Sequence, residues 1–579
     1  MSSQIKPVLV QDPLLALDDK IAYAVYRGGQ NVSTQQFNAT SSTNSSHIYN
    51  VQVPSTSVVM SRQLIWGSDI SFTITGNTTV GAQLVNYGKD TVFAPFPLNQ
   101  CCSNMNIQIN NTTVQLPVNQ CIDPLLRSID KDNIDRWNSS TPTQLDYFGN
   151  YAQLADTDNI NNWASPFNGA FQTLDRHNPP RGAFPIVEIT GNGIGVEGQS
   201  LARTVVIKVQ VREPLFVSPF IFGDGEGQPG LTGITQVNIN CQMDALARRA
   251  IRFLNTGAFA VKTVSAVSYE SSFIECKFLT PKASDLIPQT VITPLATYTN
   301  YVLPATNGTL SYVGNTLGPA GSALPSSTTL TSNSIMLNSY PDKVFVFIRN
   351  AQANLTNTTP DAYCAIDGVS ITVGAQSGLL SNFLPVDLYR ASYEAGSQQT
   401  YTEFLGVSNA LTTDDRTVAV MCGSVLCLDF GQSINIPEDY FAPGSLSTTQ
   451  LQIQVRFTNK LGYTITPELN VMIMNSGILS TSNGSSSAYT SGVLSKQVVL
   501  DANLQDPVSP VELNRLVGGA GLLSGFKAFA SKMLPKLPSV AKHLLGAVDH
   551  PVASETAKVL GHMGYGETGG KKGLKHRLY

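Results

Sequence analysis

Hydrophobic and polar residues alternate with a period of two in many short segments of this chain. In residues 205–212, Val and Ile occupy every odd position, and Lys208, Gln210 and Arg212 follow between them. Such alternation places apolar side chains on one face of a strand and polar side chains on the other. The segments 236–243 and 451–458 show the same pattern. Each is therefore predicted to be a half-buried antiparallel strand.

Turn-forming residues separate these segments. Examples are Asp224-Gly225-Glu226-Gly227 and Pro443-Gly444-Ser445. Glycine and proline are scattered along the chain without a period, 46 and 32 residues respectively, which indicates many turns rather than a fibrous or disordered chain. Many short strands with such punctuation are typical of all-β sandwich or barrel domains.

The chain has 579 residues, more than one hydrophobic core normally serves. An internal similarity indicates two copies of one design, because residues 215–243 resemble a segment that begins at Phe430, with an offset of 214 residues. We therefore expect two tandem antiparallel eight-stranded jelly rolls with loop insertions and short helices. The expected parts are an N-terminal arm (1–19), a first jelly roll (20–262), a second jelly roll (263–505), a linker (506–519) and a C-terminal tail (520–579).

Two segments depart from the strand pattern and predict short helices. Asp123 precedes Pro124 as an N-cap residue precedes a first-turn proline, so a helix is expected to begin there. The segment 243–254 also has a helical apolar stripe. Its Arg248, Arg249 and Arg252 lie off that stripe and are assigned to a solvated face or a contact between subunits.

Composition excludes several classes of protein. Only 13% of residues are charged, and uncharged polar residues suit strands and packed interfaces. The eight cysteines lack metal-ligand spacing, so they are expected to be reduced core residues. Without an N-terminal signal or a run of about 18 apolar residues, the chain is predicted to be neither conventionally secreted nor membrane-spanning.

The tail differs from the rest of the chain in charge. Residues 515–579 carry ten Lys or Arg against three acidic residues, a formal charge of +7 that leaves −11 on residues 1–514. Part of the tail predicts a basic amphipathic helix, because apolar residues recur at three- and four-residue spacing. Its apolar face consists of Leu522, Leu523, Phe526, Phe529, Met533 and Leu534. Docking on a partner subunit, binding to a membrane and contact with nucleic acid all remain open for this helix.

No catalytic signature is present. Residues 1–540 contain two histidines, His47 and His177, and the chain has neither an HExxH motif nor a phosphate loop nor a nucleophile elbow. No catalytic residue, cofactor or metal site is therefore predicted. A polysaccharide-cleaving sandwich needs only two carboxylates, so an enzymatic alternative stays open, although no pair stands out.

Several segments resemble one family in order along the chain: residues 20–30 (KIAYAVYRGGQ), 215–225 (LFVSPFIFGDG), 340–350 (YPDKVFVFIRN) and 403–407 (EFLGV). They are similar to the double jelly-roll major capsid proteins of virophages and polinton-like viruses. The resemblance covers about residues 10–505 and carries no catalytic motif.

The resemblance implies a structural protein, not an enzyme. It implies a homotrimer whose six jelly rolls form a pseudo-hexagonal capsomer, which tiles an icosahedral shell around a double-stranded DNA genome. Separate penton and minor capsid proteins would be partners, and the chain would be assembled inside the host cell and reside in the virion capsid.

The resemblance also implies a protease site at the junction between the jelly rolls and the C-terminal tail. Some members of this group mature with a viral cysteine protease that prefers Leu, Ile or Met, any residue and then Gly-Gly before the cut. Leu516-Val517-Gly518-Gly519, followed by Ala520, looks like such a site. We expect cleavage after Gly519 and release of residues 520–579. The alternative is that the glycine pair is only a hinge.

A second function fits tandem β-sandwiches. A cell-surface or virion adhesin would bind glycans through aromatic loops, such as the region around Trp137 and Tyr147. A glycan array and electron micrographs would separate this alternative from a shell protein.

Overall fold

The structure is a computed structural model. It describes residues 24–25, 31–77, 84–137, 141–151, 166–167, 188–192, 203–220, 229–244, 249–254, 261–281, 290–304, 308–312, 327–409, 418–436, 443 and 446–489. The tail and the predicted protease site lie outside the described residues.

Strands dominate both halves of the chain. The first half contains β1 (Ala24–Val25), β2 (Asn31–Asn38), β3 (Ser41–Ser42), β4 (Ser46–Gln52), β5 (Val59–Met60), β6 (Ile65–Gly76), β7 (Thr91–Phe93), β8 (Cys102–Ile109), β9 (Thr112–Leu116), β10 (Glu188–Asn192), β11 (Arg203–Pro214), β12 (Pro229–Gly230), β13 (Gln236–Met243), β14 (Ile251–Phe253) and β15 (Lys262–Thr280). The second half contains β16 (Thr290–Pro304), β17 (Thr328–Thr331), β18 (Ile335–Ser339), β19 (Lys343–Asn350), β20 (Ala365–Val373), β21 (Gln376–Leu379), β22 (Val407–Asn409), β23 (Val418–Val420), β24 (Val425–Asp429), β25 (Leu446–Thr458), β26 (Pro467–Ser482) and β27 (Ser485–Tyr489).

The helices are short and lie in the connections between strands. They are α1 (Pro97–Cys101), α2 (Val118–Leu126), α3 (Lys131–Asp135), a 3₁₀ turn (Gln352–Asn354), α4 (Pro385–Glu394) and α5 (Tyr401–Leu405).

The first half forms a sandwich of two antiparallel sheets. Sheet I has the order β10-β11-β6-β15-β2, and sheet II has the order β3-β4-β13-β8-β9. Their inner faces share one core, in which Phe72 and Ile207 of sheet I meet Tyr49 and Ile239 of sheet II. Trp66 donates its indole N–H to the Tyr49 hydroxyl at 2.7 Å, so the polar ends of both aromatic side chains are paired inside this core.

The second half repeats this arrangement. Sheet III has the order β16-β26-β19-β24, and sheet IV has the order β17-β25-β20-β21, with β18 also paired to β25. The two sheets enclose a second core that contains Val346 and Ile473 from sheet III and Ile371 and Ile453 from sheet IV.

Each half contains the eight strands of a jelly roll in two four-stranded sheets, as the sequence predicted, and a few further strands pair with them. Strand β13 lies between β4 and β8 in sheet II, and β25 lies between β18 and β20 in sheet IV. These central strands contain the segments joined by the 214-residue offset. By the same topology β2 corresponds to β16, β6 to β19 and β9 to β21.

Three local expectations change. Helix α2 begins at Val118 and contains Pro124, so Asp123 is not its N-cap. Ile251–Phe253 is a strand paired with β7, because pairing with another segment prevails over the local helical stripe. The expected boundary between residues 262 and 263 falls at the start of β15, which pairs with β6 and β2 of the first jelly roll. We propose instead that the boundary lies after Thr280.

Candidate functional site: the interface between the two jelly rolls

The central strands of sheet III are buried on both of their faces. All eight residues of β19 are buried, although a strand of a simple sandwich would expose every second one. Val344 and Val346 point into the core of the second jelly roll, whereas Phe345 and Phe347 join the core of the first. The two halves of the chain therefore share one apolar interface.

Helix α2 of the first jelly roll forms part of this interface. Eight of its nine residues are buried, and the remaining one, Gln120, accepts a hydrogen bond from Asn300 of β16 at 3.3 Å. The C-terminal end of α2 also contacts the second jelly roll, because the backbone carbonyl of Arg127 accepts a hydrogen bond from the backbone N–H of Gln398 at 2.8 Å.

A single carboxylate of the second jelly roll lies at the centre of the polar contacts. Asp361 forms ion pairs with Arg249 and, at 3.0 Å, with Arg252, both from the first jelly roll. Its backbone carbonyl accepts a hydrogen bond from Arg127 at 3.1 Å, and its backbone N–H donates to Asp146 at 2.9 Å. We call these five residues the Asp361 cluster.

The Asp361 cluster is buried, which determines its energetic role. Arg252 is fully buried, and Arg249 and Asp361 are nearly so. A buried ion pair often adds little net stability over apolar packing, but removing one partner leaves an uncompensated charge and costs several kcal/mol. The cluster therefore favours one relative arrangement of the two jelly rolls and disfavours others.

A second buried carboxylate lies beside the cluster. Asp123 of α2 accepts a hydrogen bond from the Tyr363 hydroxyl of the second jelly roll and lies 3.5 Å from the Nε of Arg127. Burial raises the pKa of Asp123 from 3.8 to about 6, although the Arg127 charge opposes this rise.

The ionisable groups of this interface are paired with one another. Among the described residues, its carboxylates face arginines and a tyrosine. Across the part of the chain that the structure describes, no group of three His, Cys, Asp or Glu residues is placed to hold a metal ion. In the same residues no helix is long and apolar enough to cross a bilayer.

Arg249 and Arg252 were predicted to lie on a solvated face or at a contact between subunits, and this prediction was wrong. Both side chains are buried within one chain. Asp361 and Asp123 were not recognised as interface residues, since neither lies in a pattern that marks a partner distant in sequence.

The structure tests only some of the other predictions about individual residues. The protease site residues Leu516, Gly518, Gly519 and Ala520 and the apolar tail face lie outside the described residues and remain predictions. Trp137, on which the adhesin alternative relied, is 8% exposed, and Tyr147 is only partly exposed. All eight cysteines are free and buried, as expected.

Comparison with known proteins agrees with this architecture. Residues 3–287 match the model of the Sputnik virophage major capsid protein first domain, and residues 307–477 match the model of the major capsid protein V20 C-terminal domain. A putative capsid protein, V20 of Sputnik virophage, is 28% identical and aligns over 98% of this chain and 95% of its own length. The chain belongs to the virophage major capsid protein family.

Solved structures support the same fold for this capsid protein. A chain from the cryo-EM structure of the Sputnik virophage superposes with a TM-score of 0.72 at 27% identity, over 89% of this chain and 100% of its own. The mavirus major capsid protein superposes with a TM-score of 0.64 at 16% identity, over 82% and 93% of the two chains, which shows a shared fold. The protein is accordingly a double jelly-roll major capsid protein of virophage type, a component of the virion capsid.

Removing the Asp361 charge should destabilise the capsid protein strongly. In Asp361→Asn, Arg249 and Arg252 lose their shared counter-charge inside the protein, and we expect a loss of about 3–5 kcal/mol in the free energy of unfolding. Urea denaturation measures it. The matched control is Asp132→Asn, the same change at an exposed position in the first turn of α3, with an expected loss of under about 1 kcal/mol. Equal losses in the two variants would contradict the role of the cluster.

The raised pKa of Asp123 predicts a pH dependence with a definite sign. Because the folded protein binds this proton more tightly than the unfolded chain, the stabilisation is complete below pH 3.8 and is lost as pH rises through about 6. Asp123→Asn, which cannot titrate, should therefore reduce the fall in melting temperature between about pH 4 and 6. Asp132→Asn should keep the wild-type slope. An unchanged slope in Asp123→Asn would rule out this carboxyl as its source.

Proposed function

We propose that three copies of this capsid protein form a homotrimer whose six jelly rolls make a pseudo-hexagonal capsomer. The observation that carries the proposal is the fusion of two topologically equivalent jelly rolls through a buried interface. One chain then supplies two similar units in a fixed relative orientation, and a closed three-fold ring of chains supplies six.

These capsomers would tile an icosahedral shell around a double-stranded DNA genome, with separate penton and minor capsid proteins completing it. The role is structural rather than catalytic. The interface chemistry supports it, because the buried charges are paired across the two jelly rolls and are not placed for reaction.

Light scattering coupled to gel filtration tests the assembly step. We expect the purified full-length protein to elute with three times the mass of one chain, and negative-stain micrographs to show hexagonal particles. A sample unfolded in denaturant supplies the single-chain standard. A native protein that remains monomeric at micromolar to millimolar concentration would contradict the proposal.

We further propose that a viral cysteine protease cuts after Gly519 and releases the basic tail. The support comes from the sequence, in which Leu516-Val517-Gly518-Gly519 lies where the charge and composition change. A glycine pair offers an extended backbone without side chains to a narrow protease groove. Before release, the amphipathic tail would assist assembly through a partner subunit, a membrane or DNA.

Mass spectrometry of purified particles tests the cleavage. The body chain should end at Gly519, and Gly519→Val should keep Tyr579 as its C-terminus because the branched side chain blocks close approach to the protease. Gly525→Val, the same change within the tail, should still be cleaved. Wild-type particles that retain the full chain would overturn the cleavage proposal.

A further inference from the structure

The two jelly rolls carry equivalent helices with unequal surroundings. Helix α2 follows β9, and α4 follows β21, which occupies the same edge position in sheet IV as β9 does in sheet II. Helix α2 is covered by the second jelly roll of its own chain, where it faces sheet III and bonds to β16. No such cover is present over α4 within the described residues of the chain.

The uncovered side of α4 carries large apolar side chains beside two charged ones, Arg390 and Glu394. Leu384 at its N-cap is 62% exposed, and Tyr393 in its last turn is 64% exposed. Among the described residues, 13 large hydrophobic side chains are exposed, and five of them fall between residues 383 and 401: Phe383, Leu384, Val386, Tyr393 and Tyr401. Such a cluster marks a protein contact, whereas scattered exposed apolar residues do not. We call it the α4 patch.

The outer face of sheet I is the second uncovered surface. It corresponds by topology to the outer face of sheet III, which the first jelly roll covers. Val32 of β2, the counterpart of β16, is 58% exposed, and Thr73 of β6 is partly exposed. Lys208 and Glu270 form an ion pair there at 2.6 Å, and this pair is partly exposed, whereas the ion pairs on the outer face of sheet III are largely buried.

We propose that the α4 patch of one copy docks on the outer face of sheet I of a second copy. This contact would repeat between chains the one that α2 and sheet III make within a chain. It joins unlike surfaces of two identical chains, and such head-to-tail contacts close into rings when the rotation permits. The inference deepens the proposed homotrimer and rests on it, because it names the surfaces through which the copies meet.

The mixed polarity of the two surfaces fits a contact that forms after folding. Both must be stable in water on the single chain, which the ion pairs of sheet I and the exposed Arg390 and Glu394 of α4 permit. The equivalent contact within the chain is removed from water once the chain has folded, and its charged groups are buried as ion pairs beside apolar side chains.

Substitutions that introduce a charge test the proposed contact on each of its two surfaces, the α4 patch and the outer face of sheet I. The double variant Leu384→Asp with Tyr393→Asp, and separately Val32→Asp, should shift the full-length protein from trimer to monomer in light scattering, while melting temperature stays near that of wild type because these side chains are exposed. The matched control is Met336→Asp. Met336 is 53% exposed on β18, at the opposite side of sheet IV from β21. This control should remain trimeric.

Crosslinking tests which surfaces meet. Two proteins, one with Leu384→Cys and one with Val32→Cys or Thr73→Cys, are mixed in denaturant, refolded together and treated with a short bis-maleimide. A covalent dimer in the mixture, and none with either protein alone, would support the contact between copies. The native cysteines give little background because all are buried.

The outcomes separate this inference from the assembly proposal. A wild-type protein that stays monomeric would overturn both. A wild-type trimer that survives Leu384→Asp with Tyr393→Asp and Val32→Asp, with no crosslink from position 384 to sheet I, would overturn the placement and leave the homotrimer standing.

Discussion

Sheet III contributes side chains to the hydrophobic cores of both jelly rolls, and the relative arrangement of the two jelly rolls depends on this. One face of β19 packs into the second jelly roll and the other into the first, so Phe345 and Phe347 are buried only while the two halves stay together. Apolar burial supplies the attraction but is not directional. The Asp361 cluster adds direction, because Arg249 and Arg252 must reach the same carboxylate.

This division of roles explains why the two jelly rolls are alike in topology but not in surface. The eight jelly-roll strands have the same order in both halves, yet the ion pairs on the outer face of sheet III, Lys343–Asp429 and Arg349–Glu468, are largely buried, whereas the Lys208–Glu270 pair on sheet I is partly exposed. The difference in exposure follows from what covers each face. Sheet III is covered by the first jelly roll of its own chain, whereas under the proposed contact sheet I stays exposed to water until a second copy binds.

A fixed pair of jelly rolls also suits assembly of a shell. If the two halves moved freely, each contact between copies would first have to order them, and that ordering would weaken association. Burial of α2 and of the Asp361 cluster orders the two jelly rolls when the single chain folds. Association of copies then does not have to include the free-energy cost of ordering them. The proposed homotrimer then needs three contacts of one kind between copies rather than six.

The sequence determined the all-β class, the eight-stranded repeat and the buried state of the cysteines, because each follows from local alternation or composition. The 214-residue offset even joined the equivalent central strands β13 and β25. Sequence did not reveal the start of α2, the strand at Ile251–Phe253 or the extent of β15, since hydrogen bonds to distant segments decide them. Arg249, Arg252 and Asp361 show the same limit most clearly. Their charges suggest a solvated surface, and only the tertiary structure brings residues more than 100 positions apart into one buried cluster.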